Sequence, residues 1–178
     1  MPPGGARIPA TRLFVAKDEH KFSCAHMTIF EDGSKERLHG HNYHAACTVE
    51  LDATGSQALL DFAQVKTVLA DLCRELREHL LVPRLHPRVQ VVRNVADGEI
   101  ELLVCGRRYV MPADEVLLLP VGNLVVEALA EYLWGRTVDR LLPALRNAGV
   151  VWLEVTVTES PGQGASYRAA LPTDGELA

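Results

Sequence analysis

The apolar residues of this chain repeat with two different periods, and the order of those periods restricts the fold more than any other feature. Tyr43–Leu51 alternates, with Ala45, Cys47, Val49 and Leu51 on one side and His44, Ala46, Thr48 and Glu50 on the other. That is the pattern of a half-buried strand. Val150–Thr158 alternates in the same way, and the turn Ser160-Pro161-Gly162 leads to a last short strand, Tyr167–Leu171. Leu13–Ala16 begins a strand that runs on toward His26. Between the strand pairs the period changes. Phe62, Val65, Val68, Leu69, Leu72, Leu76 and Leu80 recur at helical spacing behind Asp61, which can cap the helix, and Pro83 and Pro87 close that region. Asn123 is expected to cap a second helix with Val125, Ala128, Leu129, Tyr132 and Leu133 on one face. Pro143 either breaks it or opens a further short helix. Strands in adjacent pairs, separated by helices, predict an α+β fold: an antiparallel sheet with helices on one face.

Three more strand-like runs, Val89–Val95, Glu99–Cys105 and Tyr109–Met111, lie between the helices, joined by the turn signals Asp97-Gly98 and Gly106-Arg107. They predict an inserted β-ribbon near residues 88–112, serving as an oligomer contact or an active-site lid.

With 178 residues, 48% of them hydrophobic, the chain carries enough apolar material for one core, expected over residues 11–171. Residues 1–10 and 172–178 read as flexible ends. A net charge of −5 without a basic run argues against nucleic acid. The apolar stretch Val116–Val126 is broken by Pro120, Gly122 and Asn123 and is too short to span a membrane. The start of the chain lacks a signal-peptide pattern. Cys24, Cys47, Cys73 and Cys105 form no CxxC pair and read as reduced thiols, so a cytoplasmic location is expected.

Two of the seven histidines stand as His39-Gly40-His41. Residues i and i+2 of a strand point to one face, so two imidazoles there can share a metal. A lone HxH is equally a surface pair. His26 ends the preceding strand, and if those strands pair, three imidazoles converge. Three histidines with an open fourth position suit a catalytic zinc ion, and iron or nickel also accepts imidazole. His44 faces away by parity. His20 shares the parity of His26 and reads as exposed, or as support for the ligands.

Phe22-Ser23-Cys24-Ala25-His26 followed by Leu38-His39-Gly40-His41-Asn42-Tyr43 resembles the 6-pyruvoyltetrahydropterin synthase / 6-carboxytetrahydropterin synthase family. Leu60-Asp61-Phe62 with Lys66, Glu78-His79, Asn123 with Glu127, and Thr158-Glu159 with Tyr167 extend the resemblance from Phe14 to Tyr167. It implies the T-fold, a four-stranded antiparallel sheet with two helices on one face. It also implies a homo-oligomer, commonly a hexamer of two trimers with active sites between subunits. The zinc ligands map onto His26, His39 and His41. Members typically carry a catalytic cysteine shortly before HGH, where this chain has Gly33, Ser34 and Lys35. Instead Glu36 gives ExxHGH, which resembles the type III subgroup. Those enzymes convert 7,8-dihydroneopterin triphosphate to 6-hydroxymethyl-7,8-dihydropterin, a folate precursor.

On that basis Glu36 is expected to be the base of a retro-aldol cleavage, its pKa lifted by partial desolvation. His79 is expected to move a proton, with Glu78, where the family has aspartate, orienting it. Glu159 continues the inward row of Val151, Leu153, Val155 and Val157. A buried carboxylate needs a partner, and the family uses a glutamate here for the pterin ring. Glu127 is a second candidate pterin contact, although Val125 and Val126 replace the family's small hydroxyl residues. Cys24 reads as strand packing, and Trp134 and Trp152 as core or interface. Lys17, Lys21, Lys35, Arg37 and Arg168 are candidate triphosphate contacts. The alternatives are 6-carboxytetrahydropterin synthase activity in queuosine biosynthesis, 6-pyruvoyltetrahydropterin synthase activity, and a non-catalytic pterin- or metal-binding protein.

Overall fold

The computed structural model describes residues 11–52, 59–94 and 98–173. The sequence readings for residues 1–10 and 174–178, for Gly55-Ser56 and for Asp97 lie outside the described residues.

The first two strands, β1 (Thr11–His26) and β2 (His39–Leu51), form a long antiparallel pair with a register that runs from Thr11 opposite Leu51 to His26 opposite His39. The register shifts between Ala16 and Lys21. Helix α1 (Phe62–Leu76) follows, and Asp61 caps it by accepting from the Ala63 N–H at 2.8 Å. Then come β3 (Leu80–Pro83), β4 (Val89–Asn94), β5 (Glu99–Val104), β6 (Arg107–Pro112) and β7 (Val116–Leu119). Helix α2 (Val126–Asn147) and the hairpin β8 (Val150–Ser160) and β9 (Gln163–Ala170) complete the described chain.

The main sheet has the order β7-β3-β1-β2-β8-β9. Its β1-β2-β8-β9 part is the expected four-stranded antiparallel sheet. Both helices pack on one face, over Phe22, Cys24, Tyr43, Ala45, Val155 and Val157 toward one end and over Val15, Cys47, Val49 and Leu153 toward the other. The α+β architecture thus matches the expectation, and two short strands enlarge it. Strand β3 pairs in parallel with β1 and β7. The sequence reading took Leu80 as the end of a helix and left 116–119 as an apolar stretch. Parallel strands buried on both faces read as continuous apolar runs without alternation. Leu81 packs toward the helices, whereas Leu80 and Val82 pack toward the ribbon.

That ribbon, the three-stranded sheet β4-β5-β6, covers the opposite face of the main sheet. Val89, Ile100, Leu102 and Val104 are buried against Met27, Ile29, Leu80 and Val82.

Three local expectations need correction. Asn123 does not cap α2, which begins at Val126 behind Val125 without a side-chain cap. Pro143 lies inside α2, which continues through it. Val151 is exposed, because the register slips at Glu50/Leu51, so the buried row of β8 starts at Leu153.

His20 is fully buried, not exposed, and neither ring nitrogen has a hydrogen-bond partner among the described residues. It sits in the irregular part of β1, and the nearby charges are Glu19 and Lys17 on its own strand and Lys66 on α1. Burial holds its pKa below the ordinary 6.5. The unfolded chain therefore takes up a proton that the folded chain refuses, and stability is lost as pH falls below about 6.5. A His20→Leu variant should lose less stability than the parent between pH 7.5 and 5.5. Denaturant titrations at the two pH values check this, and parallel losses would show that His20 does not carry the effect.

Candidate metal centre and active site

Strand pairing alone builds the centre. His39 and His41 point to one face of β2, as do Tyr43 and Ala45, and the antiparallel register places His26 directly across from His39. The ring centroids are 4.7 Å apart for His26–His39, 5.2 Å for His26–His41 and 4.7 Å for His39–His41. One nitrogen from each ring lies within 4.8 Å of the others.

For two of the rings, His26 and His39, hydrogen bonds fix which nitrogen faces inward. His26 Nδ1 lies 3.1 Å from the Leu124 carbonyl, and His39 Nδ1 lies 2.8 Å from the Arg37 carbonyl. A carbonyl only accepts, so each Nδ1 carries the proton and each Nε2 keeps its lone pair. This is the arrangement that orients metal-binding imidazoles. Burial lowers the pKa of His26, and the neighbouring His39 and His41 lower it further, which favours the neutral, ligating form. The donor set suits zinc or another imidazole-accepting divalent metal.

Sequence reading missed three residues around the rings. Tyr43 places its hydroxyl 3.1 Å from His26 Nε2, where it donates to the lone pair that a metal would take. Thr28 donates its hydroxyl to the Leu124 carbonyl at 3.3 Å. Asn123, read as a helix cap, clamps this segment to Ile29. Its Oδ1 accepts from the Ile29 and Leu124 N–H groups at 3.1 and 3.0 Å, and its Nδ2 donates to the Ile29 carbonyl at 2.7 Å. Asn123 therefore sets the carbonyl that orients His26. An Asn123→Ala variant is expected to bind metal about 10-fold more weakly, the lower end for loss of an outer partner. Competition titration against a chelator measures it, and unchanged affinity would mean that Leu124 is held without Asn123.

Glu36 lies beside the cluster, with Oε2 3.9 Å from His39 Nε2. Desolvation pushes its pKa up, but the hydrogen bonds of Thr28, reinforced by His39 and His26, pull it down further, and the net shift is downward. The expected upward shift is thus corrected. The cause is a reciprocal backbone arrangement that the sequence did not reveal: the Glu36 N–H donates to the Thr28 carbonyl at 2.9 Å, and the Thr28 N–H faces the carboxylate at 3.3 Å.

Glu159 does continue the inward row. Its Oε1 lies 2.8 Å from His41 Nε2, and Gln163 donates to its Oε2 at 3.1 Å. His26, His39, His41, Glu36 and Glu159 are therefore one constellation.

Three of the expected residues are not brought to it. Glu78 and His79 border a second cavity of about 430 Å³, which His41 of the cluster also reaches, together with Ser23, Ala25, Gly40 and Asn42. By strand parity these last four face away from the three histidines. Glu78 adopts a left-handed backbone, φ 63°, and its N–H donates to the Ser23 carbonyl at 2.7 Å. Glu127 is exposed in the first turn of α2 and makes no hydrogen bond or ion pair among the described residues. Among the cations, Arg168 is engaged elsewhere, with Glu50 at 2.7 Å and over the Trp152 ring. Cys24 packs as expected, its thiol pushed up to about 12 by burial.

A model of the family described as 6-pyruvoyl tetrahydropterin synthase matches residues 15–170. A Methanocaldococcus jannaschii protein that carries the provisional name 6-carboxy-5,6,7,8-tetrahydropterin synthase is 30% identical over 152 residues, 85% of this chain and 91% of that one. A Pyrococcus horikoshii protein with the same provisional name is 26% identical, over 87% of this chain and 90% of its own. Among solved structures, Plasmodium vivax 6-pyruvoyl tetrahydropterin synthase superposes with a TM-score of 0.81 at 26% identity, covering 91% of this chain and 99% of that one. The same P. vivax protein has been solved with a glutamate, described as a catalytic residue, replaced by alanine or cysteine. The matched length, the fold and the three-histidine cluster agree: the chain belongs to the 6-pyruvoyl tetrahydropterin synthase family.

Proposed function

We propose that this chain is a zinc-dependent pterin lyase that cleaves 7,8-dihydroneopterin triphosphate to 6-hydroxymethyl-7,8-dihydropterin. The observation that carries this reading is the Glu36 carboxylate, 3.9 Å from His39 Nε2, in the segment where related enzymes have a thiol. The catalytic glutamate of the P. vivax protein supports a carboxylate in such a role. His26, His39 and His41 would hold the metal, which supplies Lewis acidity that makes a side-chain hydroxyl easier to deprotonate.

Glu36 takes the proton from the C2′ hydroxyl. The C2′–O bond becomes a carbonyl, the C1′–C2′ bond breaks, and its electron pair passes into the pterin ring system. A proton then adds at C1′. The products are 6-hydroxymethyl-7,8-dihydropterin and the two-carbon aldehyde that keeps the triphosphate, so all atoms are conserved. The Thr28 hydrogen bond keeps Glu36 ionised, the form that accepts a proton, at the expense of some basicity. Glu159 binds the guanidine-like edge of the pterin.

The catalytic unit spans residues 11–171 and works as a homo-oligomer, in the expected form a dimer of trimers. Glu78 and His79 border a cavity that only His41 of the cluster reaches; in the homo-oligomer they would serve the cluster of a neighbouring copy, His79 supplying the C1′ proton. A monomer by light scattering under turnover conditions would remove this role.

Reaction in D2O tests the cleavage itself. The retro-aldol route leaves one non-exchangeable deuterium on the hydroxymethyl carbon. A hydroxymethyl product without it would contradict the route.

The provisional names of the archaeal relatives favour a second reading, 6-carboxytetrahydropterin synthase activity. A thiol for that chemistry borders the cavity beside Glu36, at Cys105 of the ribbon. The identity of the product separates the two readings.

A further inference from the structure

The inserted ribbon does more than cover the sheet. Its β5–β6 turn, Cys105-Gly106, leans over the loop that carries Glu36, and the two enclose a cavity of about 840 Å³. Four cationic side chains border it, Lys35 and Arg37 from the loop and Arg107 and Arg108 from the ribbon. Glu36 is the one carboxylate among its lining residues. In a chain of net charge −5, this is a concentrated patch of the opposite sign.

The cations differ in what they already do. Arg108 is committed, with a forked pair to Glu101 at 2.8 and 3.3 Å that braces the ribbon tip. Lys35 lies 5.3 Å from the centre of the Tyr109 ring and bonds the Glu36 carbonyl at 3.0 Å, joining loop to ribbon. Arg37 and Arg107 have no carboxylate partner among the described residues. Strand alternation puts Arg107 on the Tyr109 side of β6. The loop wall is held from behind: Gly33 has φ +85°, and a Cβ there would lie 2.5 Å from the Arg88 guanidinium.

We infer that this cavity is an oligophosphate site, with Arg37 and Arg107 as its principal ligands and the ribbon as the element that supplies half of it. Guanidinium groups match phosphate oxygens in pairs and carry a permanent charge. Glu36 forms part of the same wall and is the link from it to His39, so a chain of phosphates held here would present the carbon attached to it toward Glu36. The inference rests on the lyase reading for its substrate, the triphosphate tail of the pterin.

The test uses inorganic tripolyphosphate as the probe, by isothermal titration calorimetry on the metal-loaded protein. An Arg37→Ala/Arg107→Ala variant should bind it at least 10-fold more weakly. Arg12→Ala removes the same kind of charge at the far end of β1, beside Glu50, and should bind like the parent. In turnover of 7,8-dihydroneopterin triphosphate the double variant should raise KM about 10-fold and leave kcat within twofold. Tripolyphosphate binding that is unchanged in the double variant, or an equal loss in Arg12→Ala, would overturn the inference while the lyase reading stands. Parent protein that binds tripolyphosphate through Arg37 and Arg107 but turns over no pterin triphosphate would uphold the cavity and overturn the lyase reading.

Discussion

Replacing Glu36 by glutamine is expected to lower turnover of 7,8-dihydroneopterin triphosphate by about 10²–10⁴-fold, the usual contribution of a positioned base. Metal content should not change. Glutamine keeps an oxygen that can accept from the Thr28 N–H at the same place, so the loop should hold its shape. What is lost is the negative charge and the ability to take a proton. Steady-state kinetics with metal content measured on the same preparation checks this. A fall of less than 10-fold would mean that another group removes the proton, and Cys105, which borders the same cavity, would be the next residue to change.

The second large effect concerns the metal. Both His39→Ala and His26→Ala should abolish tight metal retention, lowering the bound metal from about one per chain to background after dialysis against a chelator. Their effects on folding should differ. The His39 side chain is 35% exposed and its removal frees only the Arg37 carbonyl to water. His26 is 5% exposed, and its loss leaves the Tyr43 hydroxyl without its partner and the Leu124 carbonyl with Thr28 alone. Each buried group left without a partner costs about 1–3 kcal/mol. His39→Ala therefore separates metal loss from misfolding, with metal-free stability close to the parent, whereas His26→Ala loses both. Elemental analysis and denaturant titration of the two variants decide the matter. A His39→Ala protein that keeps its metal would show that His39 is not a ligand.

The three-histidine cluster was legible in the sequence because it depends on parity within two adjacent strands. The HxH spacing on β2 and the end position of His26 on β1 needed only an antiparallel pairing to converge. Glu159 was legible for the same reason, as the continuation of a buried row. What could not be read depends on partners far along the chain. Leu80–Pro83 and Val116–Leu119 are apolar without alternation because one face meets the helices and the other the ribbon. No local period marks them as strands. Asn123 has the side chain of a helix cap, but it caps a carbonyl and an N–H of Ile29, 94 residues away. The direction of the Glu36 pKa shift turns on Thr28, which the loop folds back to reach. His20 reads as an exposed histidine, yet it shares the inward parity of Phe22, Cys24 and His26 and is buried with them. Glu78 and His79 lie in the turn before β3, and which cavity they border is set by where β3 joins β1.

The central claim is that a carboxylate at a three-histidine metal centre cuts the pterin side chain between C1′ and C2′. The most direct measurement is the mass of the pterin formed when zinc-loaded protein is incubated with 7,8-dihydroneopterin triphosphate. The account predicts 6-hydroxymethyl-7,8-dihydropterin, lost in the Glu36→Gln variant and retained in Cys105→Ser. A carboxy- or pyruvoyl-tetrahydropterin as the main product would contradict it.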